Sequence, residues 1–249
     1  AKGLRPVAAI YSTFLQRGYD QLVHDVCIQK LPVVFALDRA GLVGEDSPTQ
    51  NGTFDLSFLR CVPDLTILAP RDGLDTKLMR HWALQQEGAV ALRYARGKAP
   101  SIGPEEGRDI TRGEILREGA DATFLVLGPC AQGCLDAAER LAAEGYSVGV
   151  ADARFVKPLD TALLDSLLDR PIITVEENTL DGGFGSAVLE YFANAGKLHE
   201  LQIHRMGIPD IFSEQATRAE QLAAHNLHAD GLYKEALAVL KEHAAHTVN

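Results

Sequence analysis

Short apolar runs rich in β-branched residues alternate along the chain with longer amphipathic ones, the pattern of a mostly parallel sheet covered by helices. It predicts strands over 7–11, 33–38, 65–69 and 90–94, then over 122–128, 148–153, 172–176 and 201–206. Between them it predicts helices over 14–29, 74–86, 131–145, 161–169, 185–195 and 232–243. Within 135–141 apolar residues recur near i, i+3 and i+4, which leaves Asp136, Glu139 and Arg140 on the outer face. From Gly97 to Ala120 the pattern lapses into glycine, proline and charge, with only a short extended piece over 113–117. The expected fold class is therefore α/β, with a first unit over residues 1–98, a linker over 99–121 and a second unit over 122–249. The first unit is short of strands, and the chain opens Ala1-Lys2-Gly3 and runs almost at once into a strand; this reads as a cut within a domain.

Composition narrows the class of protein. With 249 residues, 46% hydrophobic and 23% charged, the chain can bury a sizeable core. A net charge of −10 argues against a protein that wraps nucleic acid or an anionic membrane, both of which demand a basic face, but it allows a local basic site for a small phosphate. Cys27, Cys61, Cys130 and Cys134 form no C-x-x-C pair and have no histidine at zinc spacing, so reduced, mostly buried thiols are expected. No apolar run approaches the roughly 20 residues of a membrane span and no charged-then-apolar leader opens the chain, so the expected compartment is the cytosol. The 8 histidines form no H-E-x-x-H and no evident triad, and none is assigned a role.

Four segments carry candidate chemistry. Tyr11 to Arg17 leaves a strand and opens a helix, the place where open α/β sheets bind ligands. It admits two readings: Ser12 or Thr13 caps the helix and Phe14 packs, or Phe14 and Arg17, three apart on one face, meet a ligand. From Leu37 to Gly52 a buried strand delivers Asp38-Arg39 into a glycine-rich loop with Glu45 and Asp46. Arg39 offers a planar fork for phosphate or carboxylate and Asp46 an acceptor for a substrate hydroxyl; the alternative is a solvated loop with an internal Asp38–Arg39 or Asp46–Arg39 pair. In Arg93-Tyr94-Ala95-Arg96-Gly97, strand alternation sends Arg93 and Arg96 to opposite faces, and Arg96 converges with Arg39 if their strands are neighbours. Thr174 to Ser186 joins a strand, an acidic turn and glycines before a helix. It matches neither G-x-G-x-x-G nor the Walker pattern, so close backbone packing is expected there.

Taken together, YSTFLQRGYDQLVHDV, LPVVFALDRAGLVGEDSPTQNGTFDLSFLRCVPDLTILAPRD and ALRYARG, followed by ARFVKPLD, VEENTLDGGFGSAVLE and MGIPD, closely resemble the 1-deoxy-D-xylulose-5-phosphate synthase family within the transketolase-like thiamine-diphosphate enzymes. The resemblance spans essentially the whole chain. It implies a partial pyrimidine-binding domain followed by a transketolase C-terminal-type domain. It further implies a transferase that decarboxylates pyruvate on thiamine diphosphate with Mg2+ and condenses the two-carbon unit with glyceraldehyde 3-phosphate, for isoprenoid, thiamine and pyridoxal synthesis. Carried over, Phe14 stacks on the aminopyrimidine and Arg17 borders its pocket; Tyr11, Arg39 and Arg96 bind the acceptor phosphate; Asp46 contacts substrate or intermediate.

Gln50 stands where the family has histidine, which puts proton transfer there in doubt, and Ala95 replaces a proline. The family's catalytic glutamate lies upstream of this sequence, and its Gly-Asp-Gly metal and diphosphate motif is absent from it. The resemblance thus implies a missing N-terminal domain or companion chain, metal ligands outside this chain, a homodimer of the complete enzyme and no turnover by this chain alone. Alternatives are a small subunit of a split transketolase or alpha-keto-acid dehydrogenase, or a non-catalytic dimerisation or regulatory module of the same fold.

Overall fold

The computed structural model describes residues 2–46, 48–104 and 106–247. The chain forms two five-stranded sheets. The first takes β1 (Val7–Tyr11), β2 (Val34–Asp38), β3 (Leu65–Leu68) and β4 (Ala89–Arg93), all parallel, and adds a strand from much later in the sequence, β8 (Phe155–Lys157), antiparallel to β3. Its order is β1-β2-β4-β3-β8. The second sheet runs β10 (Ile203–Ile208), β9 (Ile172–Thr179), β6 (Ala122–Val126), β7 (Val148–Asp152), β5 (Glu114–Arg117), parallel except for β5. Residues of β4, β6 and β7 are buried throughout, as expected of strands covered on both faces.

The helices are α1 (Ser12–Leu15), α2 (Tyr19–Gln21), α3 (Asp55–Leu59), α4 (Gly73–Ala83), α5 (Ala131–Ala143), α6 (Thr161–Ser166), α7 (Phe184–Asn194), α8 (Arg218–Ala224) and α9 (Ala229–Thr247). The single helix expected over 14–29 is a composite. A 3₁₀ turn at Gln16–Gly18 separates α1 from α2, and Leu22–Cys27 forms π turns; Gly18, with φ −97° and ψ 9°, interrupts the α ladder. Helix ends carry their own polar closure. Asp72 accepts from the Asp75 N–H and Asp160 from the Leu163 N–H, while Thr217 and Glu220 form a capping box at α8.

One buried cluster contains Leu37, Leu56, Ile67 and Ala91 from around the first sheet together with Leu125, Ala151, Phe184 and Phe192 from around the second. The two sheets therefore share a core. The stretch between them is anchored as well: Ile102 is buried against the second sheet and Ile110 packs with the first. Cys27, Cys130 and Cys134 are buried, Cys61 is exposed, and all four are free thiols. No helix among the described residues is long and apolar enough to cross a membrane.

Candidate active site

The parallel register places Tyr11 beside Asp38, and Leu37 beside Arg93, so the carboxyl ends of β1, β2 and β4 form one rim. The helix after β1 starts at Ser12 with Tyr11 as its extended N-cap, and no side chain closes it. This corrects the expectation that Ser12 or Thr13 caps. The Thr13 hydroxyl instead donates to the Thr49 carbonyl at 3.1 Å, while the buried Ser12 hydroxyl has no hydrogen-bond partner among the described residues. Ser12 is wedged against Gly52, where an added Cβ would lie 2.5 Å from the Ser12 oxygen, so only glycine fits that approach.

Three side chains form a stack on this rim. The Arg39 guanidinium carbon lies 3.9 Å from the Tyr11 ring centroid, and the Tyr11 ring stacks on Phe14 at 5.2 Å and 12°. Phe14 remains 48% exposed, so its other face is open to a planar ligand. Arg39 adopts φ +57°, a left-handed conformation that costs a non-glycine residue about 1 kcal/mol or more. Asp38 offsets that cost: one carboxylate oxygen accepts the Arg39 N–H at 2.7 Å and the other its Nη1 at 2.6 Å. The internal Asp38–Arg39 pair exists, and Asp46 pairs with a different arginine.

That arginine is Arg96, bonded to Asp46 at 2.5 Å and to the Val43 carbonyl at 3.2 Å. It borders a cleft of about 390 Å³ also lined by Tyr94, Lys98, Pro129 and Arg218. Burial, then the Asp38 charge, pushes the Tyr94 phenol upward. Arg93, three residues earlier, is buried beneath the loop. It forks onto Asp55 at 2.9 and 3.1 Å and reaches the carbonyls of Gly52 and Glu177. Burial opposes its charge, but Asp55 outweighs burial and raises its affinity for the proton. Gln50 is half-buried, and its side chain makes no hydrogen bond among the described residues. Arg17 is exposed on the 3₁₀ turn, without an ion pair among the described residues.

The loop between Arg39 and Gly52 is pinched at its base by reciprocal Gly41–Gly52 backbone bonds of 2.7 and 2.9 Å. Its interior is held by Glu177 of β9 and by Arg218 and Gln221 of α8. Glu177 Oε2 accepts the Leu42 N–H at 3.1 Å and Arg218 Nη1 at 2.8 Å; Glu177 Oε1 accepts Arg218 Nη2 at 2.7 Å. Gln221 accepts the Gly44 N–H at 2.9 Å. Burial pushes the Glu177 carboxyl up, but the Arg218 charge and fork overcome it and its pKa falls below the ordinary value. In the glycine-rich turn, Glu176 takes the helix N-terminus that an external anion would need, accepting from the N–H groups of Phe184 at 2.6 Å and Gly185 at 2.8 Å. An added Cβ at Gly183 would lie 2.4 Å from Glu176, so these glycines serve close packing. Sequence reading missed Arg93, Glu177, Arg218 and Gln221 as residues that shape the loop; the Glu176-Glu177 pair within β9, after its β-branched start, was their only visible signal.

Residues 1–101 match the transketolase pyrimidine-binding domain and residues 111–232 the transketolase C-terminal domain. The chain is thus built of these two transketolase domains, one after the other. Its similar relatives include proteins named 1-deoxy-D-xylulose-5-phosphate synthase from Carboxydothermus hydrogenoformans, 50% identical over 93% of this chain and 38% of the relative, and from Syntrophotalea carbinolica, 48% identical over 93% and 37%. The chain thus spans well under half the length of these relatives. Among solved structures, a split-gene transketolase described as an inactive β4 tetramer superposes with a TM-score of 0.85 at 28% identity, covering 96% of this chain and 76% of that one. Transketolase from Campylobacter jejuni gives a TM-score of 0.77 at 20% identity over 94% of this chain and 35% of that one, a likeness of fold.

Proposed function

We propose that this chain is the portion of a 1-deoxy-D-xylulose-5-phosphate synthase that binds the pyrimidine end of thiamine diphosphate and the phosphate of an aldose phosphate acceptor. The observation that carries this reading is the rim at the strand ends, where a stacked aromatic pair with one open face lies next to two arginines on neighbouring strands. Thiamine diphosphate, when bound, supplies the electron sink that lets pyruvate lose carbon dioxide. The residues present suit its pyrimidine: Phe14 offers an exposed ring already braced by Tyr11, and Arg17 is available at its border. No group of three or more candidate metal ligands occurs among the described residues, and we place the Mg2+ and diphosphate anchor on a further portion of the enzyme or a companion chain.

Arg39 and Arg96 bind the acceptor phosphate, with Tyr11 fixing the plane of Arg39. Each arginine is already neutralised by a carboxylate, Asp38 and Asp46, so an incoming dianion exchanges one charged partner for another. Release from Arg96 would leave Asp46 free to accept a hydrogen bond from a substrate hydroxyl. Gln50 donates or accepts one hydrogen bond and orients substrate without titrating near neutrality. The enzyme acts as a homodimer in the cytoplasm. A second reading, the separate subunit of a split enzyme, is favoured by the close superposition on the split-gene transketolase.

In the complete enzyme, Arg39→Ala and Arg96→Ala should each raise KM for glyceraldehyde 3-phosphate about tenfold or more while KM for pyruvate changes little. Loss of a charged hydrogen bond costs roughly 1.5–3 kcal/mol. Equal damage to both substrates would remove the phosphate assignment.

A further inference from the structure

We infer that Arg218, with Glu177 and Gln221, is a positioning element for the acceptor site: the second sheet's connections hold the loop that sets the Asp46–Arg96 pair. The inference rests on the proposed function for its substrate and on the hydrogen-bond pattern for its geometry. Leu42 is held at both ends of its backbone, its N–H by Glu177 Oε2 at 3.1 Å and its carbonyl by Arg218 Nη1 at 3.1 Å. Val43 follows, with its N–H on Asn51 at 3.1 Å and its carbonyl on Arg96 at 3.2 Å. The Gly44 N–H is on Gln221 at 2.9 Å, and the Glu45 carbonyl accepts Gln215 Nε2 at 2.9 Å. Asp46, next in the chain, meets Arg96.

Leu42, Gly44 and Glu45 are thus held by residues more than 130 positions away, and Val43 between them by Asn51 and Arg96. The fit is close on both sides. A Cβ at Gly41 would lie 2.5 Å from Glu177 Oε2, and one at Gly44 would lie 3.1 Å from the Arg218 backbone nitrogen. Arg218 uses its planar fork fully, spanning both oxygens of Glu177 while a third bond reaches Leu42. It also lines the cleft that Arg96 borders, so a shift of its guanidinium moves the wall of the site as well as the loop. Glu177 and Gln221 stand outside that cleft and act through the loop on Asp46 and Arg96, while Arg218 both holds the loop and forms part of the cleft wall.

The test is made in the complete enzyme with two variants, Arg218→Lys, which keeps the charge but loses the fork, and Gln221→Leu, which removes the Gly44 acceptor. Steady-state kinetics with pyruvate and glyceraldehyde 3-phosphate are read beside hydrogen exchange at the Leu42 and Gly44 amides. Each variant should raise KM for glyceraldehyde 3-phosphate about tenfold, leave KM for pyruvate nearly unchanged, and speed exchange at the affected amide. Faster exchange with unchanged acceptor KM overturns the positioning role, and so does equal damage to both substrates. If the unsubstituted enzyme fails to turn over this substrate pair, the functional reading fails separately. Exchange then still decides the clamp, and unchanged exchange in both variants overturns it.

Discussion

Glu176 and Glu177 are adjacent on β9, equally buried, and hold protons with opposite strength. Burial pushes Glu176 up to about 7, with the Phe184 and Gly185 N–H groups and the Arg93 charge working against it. Glu177 faces Arg218 instead, and the ion pair takes its pKa below the ordinary value despite burial. Alternation along a strand sends neighbouring side chains to opposite faces, so one residue of register separates a carboxyl inclined to keep its proton from a permanent anion. Because the folded state binds the Glu176 proton more tightly than the unfolded chain does, its contribution to stability is complete below the unfolded carboxylate range. It is lost as pH rises through about 7. Asp152, raised to about 6 by burial against its arginine partners, acts in the same direction. Glu176→Gln should therefore flatten the fall in stability between about pH 5 and 7 relative to the unsubstituted chain. Denaturant titrations at several pH values check this, and an unchanged slope would mean that the carboxyl stays ionised throughout.

The connection from β3 to α4 meets β5 and the end of β7 through buried charge. Arg71 contacts Glu114 and Asp152, each at 2.8 Å; Arg108 contacts Asp72 at 2.8 Å and Asp75 at 2.7 Å; Arg154 lies 3.3 Å from Asp75. Removing one member strands its partners without water, so Arg71→Met should destabilise the chain by about 3–5 kcal/mol. A loss below about 1 kcal/mol in denaturant unfolding would show the network to be dispensable. Little of this was legible in the sequence, because Arg71 and Asp152 are 81 residues apart and each reads alone as a surface charge. The principal strands were legible as short apolar, β-branched runs, and β4, β6 and β7 are buried along their whole length. β8 was not legible: its three residues follow β7 at once and pair only with the distant β3. α3 and α8 escaped because five and seven residues give too little periodicity to see. Among the candidate residues, Arg39 and Arg96 stand out in the sequence because each lies just past the end of a readable strand, whereas Tyr11 is singled out only by the resemblance. Arg218 does not stand out, since its role exists only through Glu177 and a loop far away in sequence.

At the scale of the whole molecule, the two sheets share a buried cluster and a set of loop contacts, so the site is a property of both. A net charge of −10 surrounds a rim on which Arg39 and Arg96 are each matched by a carboxylate, an arrangement suited to a small dianion and unsuited to a polyanion. Gln50 is half-buried in the loop between Arg39 and Gly52, its side chain without a hydrogen bond among the described residues, and the Asp38–Arg39 and Asp46–Arg96 pairs are present. The most direct test of the proposed chemistry supplies the complete enzyme with thiamine diphosphate, Mg2+, pyruvate and glyceraldehyde 3-phosphate and follows carbon dioxide and sugar phosphate together. The account predicts one carbon dioxide released for each 1-deoxy-D-xylulose 5-phosphate formed. Transfer of a two-carbon unit from a ketose phosphate without release of carbon dioxide, or decarboxylation of pyruvate that yields no sugar phosphate, would contradict it.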